Sequence, residues 1–208
     1  TIPARIRSQM KFIVVLREPV SRDLSWFKQH RWIAGQLKSA DAKVAGTGFR
    51  KRDFDDYDTF VSARITKMKK TPEKSLMRGM YHRQLRRRVR NYFPRRNTIV
   101  FSMDTLIANF TDSLDRLGSF LELDTQPWRG RDLPHENDHP GAHKIRLSDL
   151  RPKTCSTLRK FFGQQVDLLY KLLASEGSPP QQPPFPRFTD PCGGAAQVEG
   201  GEVEEVET

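Results

Sequence analysis

Five consecutive apolar residues, Phe12 to Leu16, run straight into Arg17-Glu18-Pro19, and this junction limits what the chain can fold into. The run is too short for a helix and rich in β-branched residues, so it reads as a strand buried on both faces of a parallel sheet. Open α/β sheets bind their ligands beyond the carboxyl ends of their strands, which is where Arg17 falls. Pro19 suits the first turn of a helix, here running from about Val20 towards Ile33. Val20, Leu24 and Phe27 fall on its sheet-facing stripe, whereas Ser21, Arg22 and Ser25 share another face near the amino terminus. A guanidinium at the strand end, a second one turn into the helix, hydroxyls between them and unpaired backbone N–H groups make a site for a compact anion such as phosphate. The same residues also permit a plainer arrangement, with Arg17 paired to Glu18 and the serines serving as caps or surface.

The segment Arg17-x-Pro19-x-x-Arg22-x-x-Ser25-x-Phe27 resembles the 3′-phosphate signature of the sulfotransferases that use 3′-phosphoadenylyl sulfate. Further on, Gly79-x-Tyr81, Leu85, Tyr92-Phe93-Pro94, the apolar run Ile99 to Phe101 and Phe120-Leu121-Glu122-Leu123 resemble the family's Gly-x-Tyr helix, second strand and Phe-Leu-Gly-Leu segment, with Glu122 where Gly is usual. The likeness spans Lys11 to Leu173 except for Ala34 to Glu73. It implies an α/β fold with a P-loop-like parallel sheet flanked by helices, and a donor, 3′-phosphoadenylyl sulfate, held through its 3′-phosphate by Arg17 and Ser25, with Arg22 and Ser21 beside them. Glycan-modifying, Golgi-type members also have a basic loop that closes over the donor. His143, Lys144 and Arg146 resemble it here, although the family's Lys-Gly-Arg order is not reproduced. The reaction implied is transfer of a sulfuryl group to a hydroxyl or amine, without a metal. The family's Lys-bearing phosphosulfate loop and its usual base lie upstream of the Arg-x-Pro signature. A chain that opens on Thr1 therefore reads as the carboxyl-terminal part of a sulfotransferase domain, incomplete at its amino terminus, with no catalytic residue of its own.

The remaining pattern fits an α/β chain. Phe54, Tyr57, Phe60 and Val61 predict a short helix over Phe54 to Met68, within a stretch otherwise marked by Gly46, Gly48 and alternating charge. Lys74 to Phe93 reads as one helix with the stripe Met77, Tyr81, Leu85, Val89 and Tyr92, and with Arg83, Arg86, Arg87, Arg88 and Arg90 around the rest. Together with Arg95 and Arg96 these form the densest positive patch in the chain: either a solvated face or an attractor of polyanions. On the sulfotransferase reading Arg83, Arg86, Arg87 and Arg90 bind the acceptor, an acidic or neutral glycan. Thr111 reads as the cap of a helix with Leu114, Leu117 and Leu121 inward. His135, His139 and His143 have zinc-like spacing, but Pro134, Pro140 and Gly141 make the required helix improbable. Ser148 or Asp149 reads as the cap of a last helix, with Pro152 in its first turn and an interruption at Gly163.

Composition narrows the partners. A net charge of +11 implies an anionic partner or surface. A basic nucleic-acid-binding module and a noncatalytic polyanion-binding protein are the alternative readings, although nucleic acid is disfavoured by the lack of paired metal ligands, an aromatic RNA-reading strand or a basic region running into heptads. No stretch approaches the length of a membrane span. Cys155 and Cys192 suggest neither a disulfide framework nor a structural metal site, and leave the redox compartment open. Asn109-Phe110-Thr111 is a glycosylation sequon, relevant only in the secretory pathway. Golgi residence and the cytoplasm are the two locations left by this reading. Residues 1–175 read as the domain and 176–208 as a Pro-, Gly- and Glu-rich tail too poor in aliphatic residues to order itself.

Overall fold

A computed structural model describes residues 3–68, 74–91, 93–130, 145–174, 185–190 and 192. A one-turn helix α1 (Ala4–Arg7) precedes β1 (Phe12–Leu16), and α2 (Pro19–Gly35) follows after two residues. α3 (Tyr57–Met68), α4 (Lys74–Met77) and α5 (Tyr81–Gln84) lead to β2 (Thr98–Ser102). α6 (Met103–Ala108), α7 (Phe110–Leu121) and α8 (Pro152–Ala174) complete the order. The fold is α/β, with β1 and β2 pairing in parallel from Phe12 opposite Thr98 to Leu16 opposite Ser102.

Burial of β1 differs from the expectation of two covered faces. Val14, Leu16 and Val100 pack against Tyr81, Leu85 and Leu169, whereas Ile13 and Val15 are 47% and 44% exposed. The opposite face is covered over β2, where Arg116 lies 5.0 Å from the centre of the buried Phe101 ring, but not over β1. Alternation of side chains along a strand then leaves every second residue of β1 towards solvent.

The main core lies on the other side of α2. Val20, Leu24 and Phe27 meet Phe54, Tyr57, Phe60 and Val61, and Leu158 and Phe162 of α8 close the cluster. The stretch Ala34 to Glu73, left out of the likeness read from the sequence, thus supplies much of the interior. Its helix begins at Tyr57 rather than Phe54, which instead ends a 3-10 turn, Lys51–Phe54.

Lys74 to Phe93 is not one helix. The chain breaks between α4 and α5 at Gly79, where a Cβ would lie 2.6 Å from the Phe162 ring, so α8 and this elbow approach too closely for any side chain. Leu76, not Met77, is the buried residue of α4, and Leu85–Arg90 continues as a π-helical turn. Thr111 does not cap α7: it lies exposed inside the helix, with Asn109 at the cap position. Neither Ser148 nor Asp149 caps α8. They belong to a 3-10 turn, Leu147–Asp149, in which Asp149 accepts the Arg146 N–H at 2.7 Å. α8 starts at Pro152 and runs through Gly163 without interruption.

Cys155 and Cys192 form a disulfide, with Cα atoms 6.1 Å apart, where the sequence suggested no disulfide framework. Residues 185–190 and 192 lie against α8. Tyr170 Oη accepts the Phe188 N–H at 2.7 Å, Phe185 and Phe188 lie edge to face at 5.5 Å, and Arg159 pairs with Asp190. Among the described residues no helix is long and apolar enough to cross a membrane.

Candidate functional site

The junction of β1 and α2 is held by its own residues. Glu18, at the cap position of α2, accepts the N–H groups of Val20 at 3.0 Å and Ser21 at 2.6 Å, and its carbonyl accepts that of Arg22 at 2.9 Å. The first-turn amides are therefore occupied, which corrects the expectation of unpaired N–H groups aimed at an anion. What remains to meet a ligand is the half-buried Arg17 and the exposed Ser25, since the half-buried Ser21 is hydrogen-bonded through its side chain to Glu18. No hydrogen bond joins Arg17 to Ser25 among the described residues.

Burial pushes the Glu18 carboxyl above its ordinary value of 4.5, outweighing the two amides and the Ser21 side chain that hold it down. A carboxyl raised on folding contributes stability that is fully present below its unfolded value and is lost as pH rises through its folded value. Relative to Glu18→Gln, the parent chain is thus expected to lose stability as pH rises above the ordinary carboxyl value of 4.5, through the raised folded value. Glu18→Ala, which removes the cap, should cost about 1 kcal/mol on either side of that range. Urea unfolding of the three chains below and above that range checks this, and parallel profiles for parent and glutamine variant would refute it.

The Gly79-x-Tyr81 elbow docks on this junction. Tyr81 donates its hydroxyl to the Arg17 carbonyl at 2.7 Å, fixing the peptide where β1 ends. Burial pushes the Tyr81 phenol up to about 12, with the neighbouring Arg22 charge acting the other way, so it stays a donor. Burial lowers Arg22, which is influenced by Tyr81 and Asp23 on one hand and by Arg78 and Arg64 on the other. Arg22 thus faces the elbow. Arg146 is exposed at the start of the 3-10 turn Leu147–Asp149, and Lys144 lies outside the described residues, as do His135, His139 and His143.

Arg83, Arg86 and Arg87 do come together. With His82 and Asn91 they line a concavity of about 470 Å3 on the π-helical turn. Burial and then the Arg86 charge lower the His82 imidazole below its ordinary value, so it is neutral near pH 7. The Arg90 side chain lies outside the described residues.

Residues 1–160 match the sulfotransferase domain, more than half of the 208-residue chain. The chain belongs to the sulfotransferase domain family. Comparison with curated proteins yields no match. The matched span takes in Ala34 to Glu73, so the aromatic core built there lies within the sulfotransferase domain, whereas Cys192 lies beyond it. Two parts of this sulfotransferase domain escaped the sequence reading. Glu18 before Pro19 is a readable cap signal, passed over as a mere neighbour of Arg17. The pairing of Asp23 with Arg64, described below, had no local signal, being 41 residues apart.

Proposed function

We propose that this chain grips 3′-phosphoadenylyl sulfate through the donor's 3′-phosphate at Arg17 and Ser25, with Ser21, Arg22, Lys144 and Arg146 around it, in a P-loop-like frame. The observation that carries this reading is the junction itself. A half-buried guanidinium at a strand end and hydroxyls on the next helix fall within the matched family span, while the amides are already capped. In the parent reaction the bond between donor phosphate oxygen and sulfur breaks and a bond from an acceptor hydroxyl or amine to that sulfur forms. 3′-Phosphoadenosine 5′-phosphate leaves, and the acceptor gives up a proton. Cations near the leaving phosphate favour this charge development.

The acceptor in this proposal is a carbohydrate, drawn to the concavity of Arg83, Arg86 and Arg87, with Arg90 on the same turn. Its three described guanidiniums suit an acidic glycan better than a small apolar phenol, which would need an apolar pocket. The Cys155–Cys192 disulfide favours an oxidising compartment, consistent with the Golgi lumen.

Titration of 3′-phosphoadenosine 5′-phosphate against adenosine 5′-phosphate, each at two salt concentrations, tests the donor reading. The 3′-phosphorylated nucleotide should bind more tightly at both. Arg17→Ala should weaken it by at least about tenfold, since a charge-assisted phosphate contact contributes roughly 1.5 to 3 kcal/mol. Equal affinity for the two nucleotides would overturn the donor site. Steeply salt-dependent polyanion binding that ignores Arg17 would favour a nucleic-acid-binding module instead.

A further inference from the structure

We infer that Lys28 is a further cation of the donor's 3′-phosphate site, placed between Arg17 and the 3-10 turn Leu147–Asp149. This rests on the donor reading above. Ser21, Ser25 and Lys28 stand at i, i+4 and i+7 on α2, a single stripe of two turns whose amino-terminal end is the Arg17 junction. Side chains on a helix lean towards its amino terminus, so the long Lys28 stem covers the turn above its own Cα, which carries Ser25. Lys28 is half-buried and so is Arg17.

The electrostatics follow that placement. Burial, and after it the Arg17 charge, hold the Lys28 ammonium below its ordinary value, while Asp149 acts in the opposite sense. Asp149 is itself engaged, accepting the Arg146 N–H at 2.7 Å and the Ser148 hydroxyl at 3.2 Å. Among the described residues neither Arg17 nor Lys28 has a side-chain ion pair. Two cations that repel each other along one stripe of α2, with the nearby carboxylate already hydrogen-bonded, are relieved by a compact dianion between them. A phosphate monoester fits that requirement; a ribose hydroxyl does not. Lys28 thereby sharpens the choice between adenosine nucleotides with and without the 3′-phosphate.

Calorimetric titration of the full chain with 3′-phosphoadenosine 5′-phosphate and with adenosine 5′-phosphate tests this in the parent, Lys28→Met, Lys28→Arg and Arg17→Ala. Lys28→Met keeps the stem and should weaken the 3′-phosphorylated nucleotide by about three- to tenfold, leaving adenosine 5′-phosphate unchanged, while Lys28→Arg restores the preference. Circular dichroism melting shows whether each variant is folded. If Arg17→Ala loses the preference and Lys28→Met keeps it, the role of Lys28 is overturned and the donor site stands. Equal weakening of both nucleotides by Lys28→Met also overturns it, as general attraction. Absence of any preference in the parent overturns the donor reading itself.

Discussion

Arg64→Ala is expected to lower the unfolding free energy by about 3 to 5 kcal/mol, the largest effect of any single replacement considered, because it strands a buried charge. Asp23 receives Nη1 and Nη2 of Arg64, both at 2.9 Å, and the Tyr57 hydroxyl at 3.0 Å. All three residues are within the core, Asp23 at 0%, Arg64 at 1% and Tyr57 at 2% exposure. The guanidinium also lies over the Phe60 ring at 4.6 Å and the Trp26 ring at 5.3 Å, so it fills space as well as balancing charge. Burial, and then the Asp23 charge, push the Tyr57 phenol well above its ordinary value, so it remains a donor to the carboxylate. Replacing both partners, as in Asp23→Leu with Arg64→Met, should cost clearly less than Arg64→Ala alone, since no unpaired ion remains. Tyr57→Phe, which removes one of three donors, should cost about 1 kcal/mol. Urea unfolding of these variants measures all three. A loss under about 1 kcal/mol for Arg64→Ala would mean that water reaches the pair.

Opening the Cys155–Cys192 disulfide comes next in size. The bridge joins positions 37 residues apart, and the chain-entropy account assigns closure of such a loop about 3 to 4 kcal/mol of stability. It also keeps residues 185–190 on α8, where Arg187 lies 4.8 Å from the centre of the Tyr170 ring and Asp190 pairs with Arg159. Dithiothreitol, or Cys192→Ser, is expected to lower the urea midpoint and to expose residues 185–190 to proteases. Arg159→Ala, which removes only the exposed ion pair, should change stability by less than about 1 kcal/mol. Identical unfolding curves for oxidised and reduced protein would contradict the prediction.

Legibility in the sequence followed the range of the interaction. β1, α2 and β2 could be read because apolar runs, a proline and helical spacing are local signals, and the inward set Val20, Leu24 and Phe27 is buried as the spacing predicts. The elbow at Gly79 could not, since the apolar stripe runs on across it and only the approach of Phe162 forces the break. Arg64 was invisible for the opposite reason: arginine ordinarily faces water, and nothing near it in the chain announces the carboxylate that draws it inside. Glu122 shows the value of a departure. It ends α7 at φ 61° and ψ 40°, left-handed backbone that glycine adopts without strain, and its carboxylate pairs with Lys11 at 2.7 Å. Of the anion site, the side chains were readable by spacing, whereas the filling of the amides was missed although Glu18 before Pro19 signals a cap.

The hydroxyl of Tyr81 on the carbonyl of Arg17 makes one mechanical part of two motifs that stand 64 positions apart. The elbow cannot swing on Gly79 without dragging the last peptide of the sheet, so slack introduced at either end is passed to the other. Random mutagenesis would then recover damage at one motif through second changes at its distant counterpart, a linkage no inspection of either stretch by itself would suggest.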